Sequence, residues 1–124
     1  MGYTLNRNKI TWLSDPFLNT LDSVMKIVTT VDEVGMVILF GSCSKGTQTE
    51  NSDIDLLVLL DSDKSGMPFK RLEEKVGISI YDRYAFDDEV PVELLFADVK
   101  DYINSINPRS VYQRIKKDGV VLYE

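Results

Sequence analysis

Leu39-Phe40-Gly41-Ser42 and, after ten intervening residues, Asp53-Ile54-Asp55-Leu56-Leu57-Val58 decide how this chain is read. Met36 to Phe40 is a short apolar run with β-branched members, the pattern of a buried strand. Asp53 to Leu60 reads as a second strand, opened by two carboxylates and filled by apolar residues. Side chains alternate along a strand, so Asp53 and Asp55 fall on one face. Two carboxylates that close repel, which raises the pKa of one unless a cation intervenes. A hard divalent ion such as Mg²⁺ relieves this, because it takes oxygen ligands and keeps positions open for water and phosphate. The spacing alone is a weak signal. Asp61-x-Asp63 shares it within a polar loop and reads as a turn.

Position separates the two pairs. Gly41-Ser42 follows the first strand directly. Glycine lets the backbone turn sharply and lets a phosphate approach. Ser42 offers a hydroxyl and a backbone amide, and a short helix starting here would aim free amides at an anion. Lys45 adds positive charge. Gly41, Ser42 and Lys45 are therefore candidate phosphate-binding residues, and Asp53 and Asp55 candidate catalytic metal ligands.

Outward from this core the periodicity predicts a helix from Pro16 to about Thr30, with Asp15 as N-cap and Phe17, Leu21, Val24, Met25 and Val28 on one stripe. A second helix is predicted from Pro68 to about Ala85, where Leu72, Val76, Ile80 and Tyr84 recur every four residues. Gly77 weakens it by about 1 kcal/mol relative to Ala. Asp87-Asp88-Glu89 reads as a polar turn and Val92 to Ala97 as a third strand. Short helices follow at Val99 to Ile106 and Ser110 to Lys117, and Asp118-Gly119 turns into a last strand, Val120 to Tyr123. Residues 1–14 read as a peripheral segment from which Ile10, Trp12 and Leu13 can pack on the domain. The expectation is a single α/β (α+β) domain over residues 1–124: a small mixed sheet with helices on one face and the other face left for a site.

Composition narrows the chemistry. A chain of 124 residues, 44% hydrophobic, is one domain's worth and can bury a two-layer core. Its net charge of −6 argues against a broad basic nucleic-acid surface. There is one cysteine, Cys43, and no histidine. Internal disulfides, Ser-His-Asp and Cys-His catalysis and His-ligated zinc are excluded within the chain. Carboxylates, hydroxyls, Lys and backbone amides remain. No apolar run approaches the roughly 20 residues of a membrane helix, and Met1 to Lys9 lacks a signal-peptide core, so a cytoplasmic protein is expected.

With Leu39-Phe40-Gly41-Ser42 and Asp53-Ile54-Asp55-Leu56-Leu57-Val58 in place, the chain resembles the polymerase-β-like nucleotidyltransferase superfamily, in its minimal single-domain branch. The resemblance runs from about Asp15 through the helix at Pro68, the strand at Val92 and the closing Asp118-Gly119-Val120-Val121-Leu122-Tyr123-Glu124. It implies a mixed sheet, a nucleotide site, and a third carboxylate on a neighbouring strand. Glu93, in Pro91-Val92-Glu93-Leu94-Leu95-Phe96, fills that place where the commonest pattern has Asp, as metal ligand or as general base. Lys45 stands where relatives often carry Arg. The resemblance further implies one or two Mg²⁺ ions, ATP as substrate and transfer of AMP to a hydroxyl. The acceptor it suggests is a Tyr of a HEPN-type partner protein, as in some toxin–antitoxin pairs. A small molecule such as an aminoglycoside, or a nucleotide-binding module that only docks on its partner, are the alternatives. A free sheet edge leaves room for a homodimer. Cys43 reads as a small filler, Tyr81 and Tyr84 as core, and Trp12 as packing rather than as a base-stacking ring. Arg109, Arg114, Lys116 and Lys117 read as a solvated helix face.

Overall fold

The computed structural model describes residues 3–83 and 90–124, with the side chains of 81–83 left out. The predicted end of the second helix at Ala85, the stripe residue Tyr84, the side chain of Tyr81 and the turn at Asp87-Asp88-Glu89 lie outside the described residues. The elements run in the order α1 (Asp15–Val28), β1 (Val34–Phe40), α2 (Ser42–Lys45), β2 (Ile54–Leu60), α3 (Phe69–Arg83), β3 (Val92–Asp98), α4 (Val99–Asn104), α5 (Val111–Asp118) and β4 (Val120–Tyr123). The strands form one mixed sheet in the order β3-β2-β1-β4. β1 is antiparallel to both neighbours, and β2 and β3 are parallel. The expected fold class is borne out. Among the described residues no helix is long and apolar enough to cross a membrane.

Boundaries move by a residue or two for local reasons. Ser14, extended at φ −75° and ψ 166°, caps α1, so Asp15 is the first helical residue and not the cap. α1 stops at Val28 rather than Thr30 because the hydroxyls of Thr29 and Thr30 turn back to the carbonyls of Met25 and Ile27. β1 starts two residues earlier than the apolar run, at Val34, with the ladder register broken between Val34 and Met36 around Gly35. α4 ends at Asn104 instead of Ile106. Lys116 Nζ and Gln113 Nε2, both from α5, donate to the Ser105 carbonyl just beyond it.

The two long helices share a face, as expected. Leu21, Val24, Met25 and Val28 of α1 and Leu72 and Val76 of α3 pack with Val37 and Leu39 of β1 and Ile54, Leu56, Val58 and Leu60 of β2. The segment before α1 joins them: Leu5, Ile10 and Leu13 are buried in the same cluster. The short helices correct the expectation that helices cover one face only. Tyr102 of α4 and Ile115 of α5 pack on the opposite face, against Ile38, Leu57, Leu59 and Ala97. Each of these helices buries a single residue, so that face is only partly covered. Alternation from Leu57 and Leu59 puts Asp55 on it, and alternation from Ala97 puts Glu93 there too.

Candidate active site

β1 ends at Phe40 and the chain must reverse immediately. Gly41 makes the turn at φ 74° and ψ −154°, a conformation essentially reserved for glycine. The next four residues form the single turn α2, closed by Gly46 in the left-handed region. Ser44 fastens this turn, its amide and hydroxyl both donating to the Gly41 carbonyl, at 3.2 and 2.8 Å. Trp12 braces it from outside. Its indole N–H donates to the Cys43 carbonyl at 2.7 Å, and its ring lies against Gly46. Trp12 thus packs, as the sequence suggested, and what it packs against is the candidate phosphate turn.

The ladder brings the acids to this turn. Phe40 pairs with Asp55 across β1 and β2, and Asp55 pairs with Glu93 across β2 and β3. The Ile54 amide donates to the Pro91 carbonyl at 2.9 Å, which fixes the start of β2 against the start of β3. A Cβ built on Gly41 would stand 2.5 Å from Asp55 Oδ2, so the carboxylate occupies the space where any other residue would carry its side chain. Cys43 Sγ donates to the Asp53 carbonyl at 3.4 Å, tying the turn to the residue that opens β2.

Electrostatics follow from this crowding. Burial, then the charge of Glu93, then that of Asp53, hold the Asp55 carboxyl above its usual range, and a hydrogen bond with Glu93 adds to the rise. Burial pushes the Cys43 thiol up to about 11, with Asp55 and Asp53 contributing. A buried thiol with that pKa is a filler, not a nucleophile.

The expected residues are thus distributed as follows. Gly41, Ser42, Asp55 and Glu93 converge at the end of β1. Asp53 is exposed just ahead of β2. Lys45 is also exposed, with Nζ 4.0 Å from Asp118 Oδ2. Among the described residues no three His, Cys, Asp or Glu side chains are placed to hold a metal ion by themselves. The close pair is Asp55 with Glu93. That donor set fits Mg²⁺, which is held by one or two carboxylates together with substrate phosphates rather than by an all-protein cage. Arg114 was read from sequence as solvated surface. It lines a cavity with Gly41 and Lys45, and a position on one short amphipathic helix carried no signal of that.

Solved structures resemble the chain, two of them among others as follows. A protein from Sulfolobus solfataricus, provisionally identified as a nucleotidyltransferase, is 16% identical over 88% of this chain and 86% of its own, with a TM-score of 0.49. A toxin–antitoxin structure with AMP-PNP is 21% identical over 89% of this chain and 73% of its own, with a TM-score of 0.47. No curated protein matches the sequence. The family model for polymerase beta nucleotidyltransferases matches residues 22–124. That span holds every strand, the Gly41 turn and all three acids, and on this match the chain belongs to the polymerase beta nucleotidyltransferase family.

Proposed function

We propose that this nucleotidyltransferase moves AMP from ATP to a hydroxyl acceptor, and that the acceptor is a Tyr of a HEPN-type partner protein. The observation that carries the transfer chemistry is the carboxylate of Asp55, lodged against Gly41 on one side and paired with Glu93 on the other. A cluster of like charges beside a turn that admits no side chain suits a cation and a phosphate together. Asp55 and Glu93, with the charge of Asp53 at the head of β2 beside them, would hold Mg²⁺ together with the substrate phosphates, and the ion would supply charge neutralisation to the triphosphate when bound. Gly41 and Ser42 would seat the β- and γ-phosphates.

The residues then divide the work. The acceptor oxygen attacks the α-phosphorus. The bond from that phosphorus to the α,β-bridging oxygen breaks, and its electron pair leaves with pyrophosphate. The hydroxyl proton passes to a carboxylate, and Glu93, exposed on the edge strand and paired with Asp55, is the one assigned that role. Catalysis by position and preorganised charge suits a chain without histidine.

A macromolecular acceptor is favoured by where Glu93 sits. It is exposed on the edge strand β3, and Leu95, two residues along on the same face, is 39% exposed. An open edge with an apolar shoulder admits a side chain presented by another protein. The HEPN-type identity rests on the resemblance to minimal nucleotidyltransferases that work in such pairs.

The test is transfer of label from α-labelled ATP, with Mg²⁺, onto a HEPN-type partner and onto its Tyr→Phe variants. Wild type should label the partner, Asp53→Asn and Asp55→Asn should lose both nucleotide binding and transfer, and Glu93→Gln should keep binding while losing transfer. Equal behaviour of wild type and Asp53→Asn/Asp55→Asn would remove the metal-site reading. Labelling of an aminoglycoside but of no protein would replace the acceptor.

A further inference from the structure

A cavity of about 530 Å³ lies beside the heads of β2 and β3, and none of the candidate site residues lines it. Glu50 and Asn51 border it from the loop that leads into β2, Val90 from just before β3, and Phe17 from the first turn of α1. Trp12 and Gln48 belong to the same wall. Three of these groups have bonding capacity left over. The indole N–H of Trp12 is committed to the Cys43 carbonyl, yet 40% of the residue stays exposed. Gln48 Nε2 donates to the Trp12 carbonyl at 3.1 Å, which fixes the other end of that amide as an acceptor. That oxygen, Oε1, is buried without a hydrogen-bond partner, the one such side-chain atom among the described residues. Glu50 is exposed and forms no ion pair among the described residues. No Lys or Arg among the described residues lines the cavity.

We propose that this cavity binds a guanidinium group, the side chain of an arginine on a protein partner. The wall offers an aromatic ring, a carboxylate and an amide oxygen, with no positive charge to oppose a cation. A guanidinium is flat, always charged and carries five N–H donors. Its plane stacks on an indole, the best of the aromatic rings for a cation. Paired N–H groups suit the Glu50 carboxylate, and another suits Oε1 once the Gln48 amide turns its oxygen toward the cavity. An unsatisfied buried acceptor is costly, and a donor that reaches it removes that cost. A lysine ammonium would satisfy the carboxylate but cannot stack as a plane. A nucleobase would stack but brings no charge for Glu50. Free arginine brings an α-carboxylate, which would meet Glu50 and no described Lys or Arg; an arginine within a protein chain brings none. Gripping an arginine here does not depend on the transfer reaction. It would hold a partner beside the strands that carry the acids, because Asn51 stands two residues before Asp53 and Val90 three before Glu93.

Calorimetry on the full chain tests this with N-acetyl-arginine amide, its uncharged citrulline analogue, its lysine analogue, free arginine and adenosine. Each is titrated into wild type, Glu50→Gln, Trp12→Leu and the control Glu74→Gln, an exposed acid of α3 outside the cavity. Thermal melts establish that each variant is folded, and Glu50→Gln, at an exposed position, decides the matter if Trp12→Leu does not fold. Wild type should bind the arginine amide roughly tenfold tighter than the citrulline analogue, the loss of the ion pair and the cation–π contact together. It should bind the lysine analogue and free arginine more weakly as well. Glu50→Gln should weaken the arginine amide about fivefold, the order of an exposed ion pair, and Trp12→Leu by a similar factor, while Glu74→Gln matches wild type. Equal binding of the citrulline analogue, an unaffected Glu50→Gln, an equal loss in Glu74→Gln, or no binding of the arginine amide at all overturns the proposal. So does tighter binding of free arginine, which would make the cavity a metabolite site, or tighter binding of adenosine, which would make it a nucleobase seat. None of these titrations involves Mg²⁺ or ATP, so their failure leaves the transfer reading standing, and loss of label transfer leaves them standing.

Discussion

Gly41→Ala should damage fold and site by separable amounts. The backbone at φ 74° and ψ −154° is strained for any residue with a Cβ, at a cost of about 1–3 kcal/mol. The new methyl would also meet Asp55 Oδ2. It would start at 2.5 Å, where ordinary contact begins at 3.4 Å, so the carboxylate must retreat by about 0.9 Å. A misplacement near 1 Å at a reacting centre costs on the order of 100-fold in rate. Gly46→Ala is the matched control. Gly46 also has φ 74°, but its Cβ would lie 3.6 Å from the Trp12 ring, an ordinary contact, and nowhere near Asp55. It should lose about 1–2 kcal/mol and little else. Urea denaturation measures the stabilities. Trp12, the chain's single tryptophan, is bonded to the turn and should report Mg²⁺–ATP binding by its fluorescence. Label transfer measures the chemistry. Gly41→Ala should lose about two decades of transfer while Gly46→Ala stays within a few-fold of wild type. A folded Gly41→Ala with near wild-type transfer, or a Gly46→Ala that is equally inactive, would refute the idea that Gly41 exists to make room for Asp55.

Three further outcomes are expected. Glu33 is 3% exposed, and Lys75 Nζ donates to it at 2.9 Å. That hydrogen bond, with one from Ser65, lowers the Glu33 pKa. A depressed carboxyl stabilises the fold above its unfolded pKa of about 4.3, and the contribution is lost as pH falls through the lower folded value. The stability advantage of wild type over Glu33→Gln, measured by urea denaturation, should therefore be full at pH 7, start to fall as pH drops through about 4.3, and vanish only below the lower folded value. Gly77 is exposed in mid-α3, with nothing within 4 Å of an added Cβ. Gly77→Ala should stabilise by about 0.5–1 kcal/mol, and a lower melting temperature would contradict the helix as described. Cys43, buried and with its thiol at about 11, should resist alkylation at pH 8 until the chain is denatured. Rapid labelling of the native protein would show an open turn.

Local patterns were legible in the sequence, and the contacts between distant segments were not. All four strands and both long helices follow from apolar runs and periodicity, because each pattern is contained within its own segment. The distribution of helices over the two faces was not contained in this way. α4 and α5 offer one buried residue each, Tyr102 and Ile115, too little apolar pattern to show which face they choose. Glu33 and Lys75 lie 42 residues apart, and neither carries a sign that they meet. Arg114 is the sharpest instance. It sits among Arg109, Lys116 and Lys117, and only the close approach of α5 at Gly119 distinguishes it.

The carboxylate pair has a structural role that bears on how far it can be read as chemistry. β2 buries Ile54, Leu56, Val58 and Leu60 against α1 and α3, and Leu57 and Leu59 against α4 and α5. Both faces are apolar, so hydrophobic alternation alone does not fix the register of this strand. Asp55 does. A slip of one residue would turn its carboxylate into the α1–α3 core, where an unpaired charge costs several kcal/mol. The same side chain that selects the register also stands beside Glu93 and against Gly41, with its carboxyl held high by both burial and like charge. A residue needed only for register would be served as well by Asn, without that repulsion. Keeping a charged group in a place that resists charge is the property of this site that a cation would relieve. Asp55→Asn therefore tests more than activity: it should leave the register intact and raise stability in the absence of Mg²⁺, while removing the further stabilisation that Mg²⁺ with ATP gives to wild type.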